Sequence, residues 1–250
     1  MIRLDVQTLP ERPVVDVAVV IDVLRMTTTA GLLFAEGLAE LWVVAAVEAA
    51  RELAAGRGLL LMGERQGKAL PGFHGGNSPL EYTRSVAGRG AVLCTSNGSR
   101  AVEFAGGARH LLLGAIVNAR AVAARALELA RSEISLICAG TGDRLSFDDV
   151  LGAACIAREL MRLEPALELS DGALLALAAL ESSPDLHQGL KRARHGRLLE
   201  DIGFGDDLAF AAKLNSLAVV AERSGQSPAR FVKAPSTGAP VTKAPATGAA

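Results

Sequence analysis

Residues 17–29 read VAVVIDVLRMTTT, and the first five of them decide the fold class. VAVVI is apolar throughout and mostly β-branched, with no polar residue alternating in. A strand that faces water on one side alternates, whereas a strand covered on both faces does not. Similar short runs follow at LWVV (41–44), LLLM (59–62), AVLC (91–94), HLLL (110–113) and ISLIC (134–138). Amphipathic helical segments lie between several of them, such as VEAARELAA (47–55) and NARAVAARALELAR (118–131). This βαβα rhythm predicts an α/β protein: a mostly parallel or mixed sheet with helices on both faces.

Beyond Asp148 the pattern turns helical. DDVLGAACIARELMRL (148–163) places Asp148 and Asp149 at the positive end of a strong helix. DGALLALAALES (171–182) predicts another, and SLAVV (216–220) is the one further strand expected. Residues 1–232 are expected to form one domain. From residue 233, KAPSTGAPVT and KAPATGAA form a near-repeat without core material, so 233–250 are expected to be a disordered tail.

Composition narrows the function. Half of the 250 residues are apolar and only 4% aromatic, so burial falls to Ala, Leu and Val. The formal net charge is -1 with no basic stripe, which argues against a nucleic-acid surface. No apolar stretch reaches the roughly 18 residues of a membrane span. The first residues, MIRLDVQTLPERP, lack the apolar stretch of a signal peptide. A cytoplasmic protein without membrane contact is expected; a homo-oligomer stays open. Cys94, Cys138 and Cys155 read as small core hydrophobes in a reducing compartment.

In an open parallel sheet, ligands bind beyond the carboxyl ends of the strands. After VAVVI come Asp22, Arg25 and Thr27–Thr29; after LLLM, Glu64 and Arg65. After AVLC comes TSNGSR, and after ISLIC comes AGTGD. Thr95, Ser96, Asn97, Gly98 and Arg100 suit either an ordinary helix cap or an anion held on backbone N–H groups. Arg25 and Arg65 are further candidates for an anionic ligand. Asp22 and Glu64 end two strands and suit Mg²⁺, which takes few carboxylates; either could instead pair with an arginine. Two motifs fail. Asp22 lacks the second Asp two residues on that haloacid-dehalogenase phosphatases need, since Leu24 stands there, and no GK[ST] loop occurs. The histidines (His74, His110, His187, His195) have no metal-ligand spacing and read mostly as surface residues, His74 excepted.

Taken in order, DVLRMTTT, GERQGKALPGFHGGNSPLEY, TSNGSRA, GAIVNARAVA, CAGTGDRLSFDDVLGA and DGA resemble the ComB family of 2-phosphosulfolactate phosphatases. The resemblance runs from about residue 17 to residue 201. It implies an α/β/α three-layer fold of its own type. It also implies a Mg²⁺-dependent phosphatase that converts 2-phospho-3-sulfolactate to 3-sulfolactate in coenzyme M biosynthesis. By position it implies Asp22 and Glu64 as acidic motif residues, with Asp149 as the acid of the segment Ser146–Asp149. Arg25, Arg65, Asn77, Ser78, Thr95, Asn97 and Gly98 fall on its polar positions. The family usually has an acid where His74 stands, so His74 puts the exact substrate in question. Physical reasoning then assigns Asp22 and Glu64 to the metal and Asp149 to proton transfer. Arg25, Arg65, His74, Asn77, Ser78, Thr95, Asn97 and Gly98 would hold a small phosphorylated anion. The alternatives are a phosphatase of another small phosphorylated acid, and a protein that binds such an anion without cleaving it.

Overall fold

The computed structural model describes residues 1–82 and 86–235. The fold is three-layered α/β/α around one large sheet. Every one of the apolar runs up to residue 138 becomes a strand: β2 (Val17–Ile21), β3 (Glu40–Val44), β4 (Leu60–Arg65), β6 (Gly90–Cys94), β7 (His110–Gly114) and β8 (Glu133–Cys138). The segments between them form α1 (Met26–Ala35), α2 (Val47–Arg57), α3 (Gly98–Phe104) and α4 (Ala119–Leu129). The helical second half supplies α5 (Phe147–Leu163), α6 (Asp171–Glu181), α7 (Leu186–Arg192), α8 (Arg194–Asp201) and α9 (Gly205–Ala211). Among the described residues no helix is long and apolar enough to cross a membrane.

The continuous apolar character of the strands follows from burial on two faces. Val17, Val19 and Ile21 of β2 pack towards α4, α5 and the later helices, while Ala18 and Val20 pack towards α1 on the other side. A third cluster, with Trp42, Val44, Leu61 and Val92, is covered by α2 through Ala50 and Ala54. Successive strand residues point to opposite faces, so their central positions are almost all apolar; Ser135 of β8 is the exception, its hydroxyl donating to Glu133. Cys94, Cys138 and Cys155 are free and buried.

Further strands go beyond the sequence expectation. β1 (Arg3–Gln7) lies beside β8, and its outer neighbour is the two-residue β9 (Glu168–Leu169). The expected strand at 216–220 falls instead at β10 (Ala221–Gly225), which forms a hairpin with β11 (Ala229–Lys233). Residues 216–220 are tied to the loop before α4: Leu217 N–H donates to Val117 O, and the Asn118 amide donates to Val219 O. Ala234 is buried and donates to Val220 O, so the packed chain continues just past residue 232. The remainder of the expected tail, 236–250, lies outside the described residues.

The hairpin sits in mid-sheet, in the strand order β5-β4-β6-β3-β11-β10-β7-β2-β8-β1-β9, where β5 is Lys68–Ala69. β4, β6 and β3 are mutually parallel, as are β7, β2, β8 and β1. The hairpin is antiparallel to β7 on one side and to β3 on the other. Three antiparallel pairings therefore separate the two parallel blocks, which run in opposite senses. In a flat sheet the ends of β2 and β6 would lie on opposite edges. Twist of about 20–25° per strand pair accumulates to about 100–125° over the five steps between them, which lets those ends meet.

Candidate active site

The carboxyl ends of β2, β4, β6 and β8 do converge. Asp22, directly after β2, is buried, and its Oδ1 accepts the Met26 N–H at 3.3 Å. The Gly98 N–H, at the start of α3, also donates to this carboxylate. A Cβ added at Gly98 would stand 2.5 Å from Asp22 Oδ2 and 2.6 Å from Met26 Cε. Only glycine lets the loops after β2 and β6 approach this closely.

Glu64, next to last in β4, reaches across to the β6 loop. Its Oε1 accepts from the N–H and hydroxyl of Ser96, both at 3.3 Å, and its Oε2 accepts the Gly67 N–H at 2.8 Å. From the β8 side come the first-turn acids of α5. Asp149 is clamped: Oδ1 accepts the Val23 N–H and Oδ2 the Gly140 N–H, each at 2.9 Å. It ties the loops after β2 and β8 together, with both oxygens occupied. Asp148 is equally buried but accepts only the Ser146 hydroxyl, at 2.7 Å on Oδ1.

These acids repel one another. Burial foremost, then the charges of Asp148 and Glu64, push the Asp22 carboxyl up to about 7, although the Met26 and Gly98 N–H groups favour its ionised form. Burial, Asp148 and Asp22 push Asp149 well above the usual carboxylate range. Among the described residues no arginine forms an ion pair with these acids. Arg25 is buried and committed: Nη1 lies 2.8 Å from Asp207 of α9, Nη2 donates to Gly67 O at 2.6 Å, and the guanidinium stacks 4.3 Å from the Phe204 ring centre. Arg65 donates to the carbonyls of Glu64 and Ala45, at 2.7 and 2.5 Å. Both expected anion-binding arginines thus hold backbone in place.

The segment from Gln66 to Tyr82 folds back along β4. Gly63, with φ 152°, lies against the Cys94 carbonyl where a side chain would collide, and its N–H donates to Gly75 O. His74 pairs with Leu61 twice, through its own N–H and by accepting the Leu61 N–H on Nδ1 at 3.0 Å. It is exposed, and its imidazole serves to pair this return segment with β4. Asn77 and Ser78, further on, are buried beside α1 and α9: Thr29 donates to Asn77 O, and the Ser78 hydroxyl donates to Asp207 at 2.6 Å. The Asn77 Oδ1 is buried without a partner. A buried amide oxygen in that state calls for a donor from a ligand or water.

Thr95 and Asn97 act locally. Thr95 Oγ1 accepts the Ser99 N–H, and Asn97 Oδ1 accepts from Arg100 and from the Gly142 N–H, joining the β6 and β8 loops. Arg100 also pairs with Asp143 at the exposed rim. The expectation of surface histidines fails at His195, a half-buried residue whose charged neighbours are Asp148, Arg25, Glu64 and Arg194. Neither His195 nor Asp207 was legible as a site residue. Both sit on short helices with no motif of their own, and only the packing of α8 and α9 brings them in.

Among the described residues no group of three or more His, Cys, Asp or Glu side chains is arranged to hold a metal ion. The oxygen-only donors Asp22, Glu64 and Asp148 nevertheless have the hard chemistry that suits Mg²⁺, with water and substrate completing its shell. A second cleft, of about 470 Å³ between β1 and α6, is lined by residues that include the Arg12–Asp5 ion pair.

The chain matches the family model described as 2-phosphosulpholactate phosphatase over residues 4–226. A Deinococcus radiodurans protein named probable 2-phosphosulfolactate phosphatase is 43% identical over 223 residues, covering 87% of this chain and 92% of the relative. Proteins of the same name from Carboxydothermus hydrogenoformans and Thermus thermophilus are 40% and 36% identical. Each match covers 82% of this chain, and 84% and 86% of the respective relatives.

Proposed function

Because the chain belongs to the 2-phosphosulpholactate phosphatase family, we propose that it is a phosphoric monoester hydrolase that cleaves 2-phospho-3-sulfolactate to 3-sulfolactate and phosphate. The reaction would be of the type found in coenzyme M biosynthesis. The observation that carries this reading is the placing of Asp22, Glu64 and Asp148 about the ends of β2, β4 and β8, where the charges of Asp148 and Glu64 act on the buried Asp22; among the described residues none of the three forms an ion pair with an arginine or lysine. Burial and the neighbouring charges push the Asp22 carboxyl up, which weakens the fold unless something positive joins it. A pure anion-binding pocket gains nothing from such a cluster.

Asp22 and Glu64 would hold Mg²⁺, with Asp148 beside them. Bound there, the ion would polarise the phosphoryl oxygens and offset their charge. The chain's own part is to place the substrate. The exposed guanidinium groups of Arg100 and Arg194 at the rim, with donors beyond those given to Asp143 and the Thr141 carbonyl, would meet its anionic ends, while the unpartnered Asn77 Oδ1, an acceptor, would take a hydroxyl or water. Asp149, Arg25 and Arg65 would position the loops that carry these groups.

The test is phosphate release from 2-phosphosulfolactate and from a panel of small phosphorylated acids, with Mg²⁺ and with EDTA. Release is expected with Mg²⁺ and lost in EDTA. Thermal stabilisation by the phosphoester without release would support a binding protein instead, and a higher kcat/KM for another ester would reassign the substrate.

A further inference from the structure

Helix α8 bridges the β8 loop and the turn after β4. Its first residue holds the β8 loop: Arg194 Nη2 donates to Thr141 O at 3.2 Å. Its far end rests on the turn after β4, where a Cβ at Gly67 would lie 3.5 Å from Leu199 Cδ2 and 2.8 Å from Ile202 Cδ1. The N–H of the same Gly67 donates to Glu64. His195, Leu199 and Ile202 follow i, i+4, i+7 spacing and share one helix face. His195 is therefore carried one turn before Leu199, over the space between the β8 loop and the Glu64 turn. The charged groups that face it come from each element packed there: Asp148 of α5, Glu64 of β4, Arg25 ahead of α1, and Arg194 of α8 itself. Among the described residues, the histidine that pairs with a carboxylate is His110, 3.8 Å from Glu222. The His195 imidazole keeps its nitrogens for another partner.

We propose that His195 is the general acid of this centre, taking up a proton as the phosphoester binds and passing it to the leaving oxygen as the P–O bond breaks. The inference rests on the phosphatase reading above. In the free protein, burial foremost, with Arg25 and Arg194 in support and Asp148 and Glu64 opposing, holds the imidazole below its usual value. A phosphoryl dianion placed beside the imidazole favours its charged form. In the cleavage step the oxygen of a water molecule bonds to phosphorus. The ester P–O bond breaks, and its electron pair stays on the substrate oxygen. That oxygen takes the proton of the imidazolium, both water protons leave with the phosphate as dihydrogen phosphate, and His195 is neutral again. A loose phosphoryl-transfer transition state gathers charge on the leaving oxygen, so a proton delivered there is where an acid gains most.

The experiment compares wild type and His195→Asn in the full chain, with 2-phosphosulfolactate and Mg²⁺, across the pH range. Wild-type release of phosphate is the control for the phosphatase reading; its absence would refute that reading and this one together. With an active wild type, His195→Asn is expected to lower kcat by about 100-fold or more with little change in KM. The fall of kcat at alkaline pH should disappear in the variant. An unchanged kcat, or an alkaline limb that survives the substitution, overturns the role. The second measurement needs only folded wild type. The His195 imidazole resonance, assigned by elimination with His74→Asn, His110→Asn and His187→Asn, is followed against pH with and without sulfate, a dianion that does not titrate near neutrality. Sulfate is expected to move its midpoint to higher pH, and a midpoint that sulfate leaves unmoved overturns the proposal.

Discussion

Asp22→Asn should make the metal-free protein more stable at neutral pH while abolishing phosphate release. The folded chain raises this carboxyl from 3.8 to about 7, chiefly through burial. At about 1.36 kcal/mol per pH unit, keeping Asp22 ionised costs about 4 kcal/mol more in the folded than in the unfolded chain. Asparagine removes that cost but returns only one acceptor oxygen to the Met26 and Gly98 N–H groups, a loss of about 1–2 kcal/mol. The net expectation is about 2 kcal/mol of added stability, or about 4–8 °C in Tm for a chain of this size. The sign follows from proton binding. Because the folded state keeps the proton longer than the unfolded state, wild-type stability is intact below the unfolded value near 3.8. It is lost as pH rises towards 7 and level above that. The variant's advantage should be absent at about pH 4, grow through the weakly acid range and hold at about pH 8. Urea unfolding of both proteins in EDTA, at the two ends of that range, measures it. A variant less stable than wild type at the alkaline end, or an offset that does not change with pH, would refute the account of the acid cluster.

Other outcomes follow from the tethers around the site. Asp207→Ala strands the buried Arg25 guanidinium and the Ser78 hydroxyl, and should cost about 3–5 kcal/mol by urea unfolding. Arg25→Met combined with Asp207→Leu should recover most of it, and a single-variant loss below about 1 kcal/mol would show that α9 is not held this way. His74→Ala should cost no more than about 1 kcal/mol and leave the ranking of phosphoester substrates unchanged, since the imidazole only accepts the Leu61 N–H. A changed ranking would put His74 back at the substrate.

The strands and the active edge were legible because both rest on local pattern. A strand buried on two faces is apolar throughout, as β2 is, and a residue at or just past the end of such a strand is free to be an acid, as Asp22 and Glu64 are. β10 and β11 escaped because their charged residues find partners only in the folded chain: Glu222 with Arg125, Arg230 with Glu40, and Arg223 with the carbonyls of Gly106 and Ala108. A polar hairpin in the middle of a sheet carries no alternation that marks it as buried. β1 is hidden in the same way, with Asp5 paired to Arg12 and Gln7 holding the Arg12 backbone.

The division within the site has one physical cause. Sequence determines which residue types stand at the strand ends, and with them the chemistry on offer: carboxylates, amides, hydroxyls and guanidinium groups around an anionic substrate. It cannot determine which of those groups remain free, because hydrogen-bonding capacity is consumed by whatever the fold brings near. Asp148 and Asp149 are neighbours in sequence, yet the loops after β2 and β8 take both oxygens of Asp149 and leave Asp148 facing Asp22. Arg25 reads as an anion ligand until α9 delivers Asp207 to it, and His195 reads as surface until α8 bridges the β8 loop and the turn after β4. VAVVIDVLRMTTT settled the strand and its terminal acid; the twist across the central hairpin, which sums small rotations over distant strands, decided what that acid would meet.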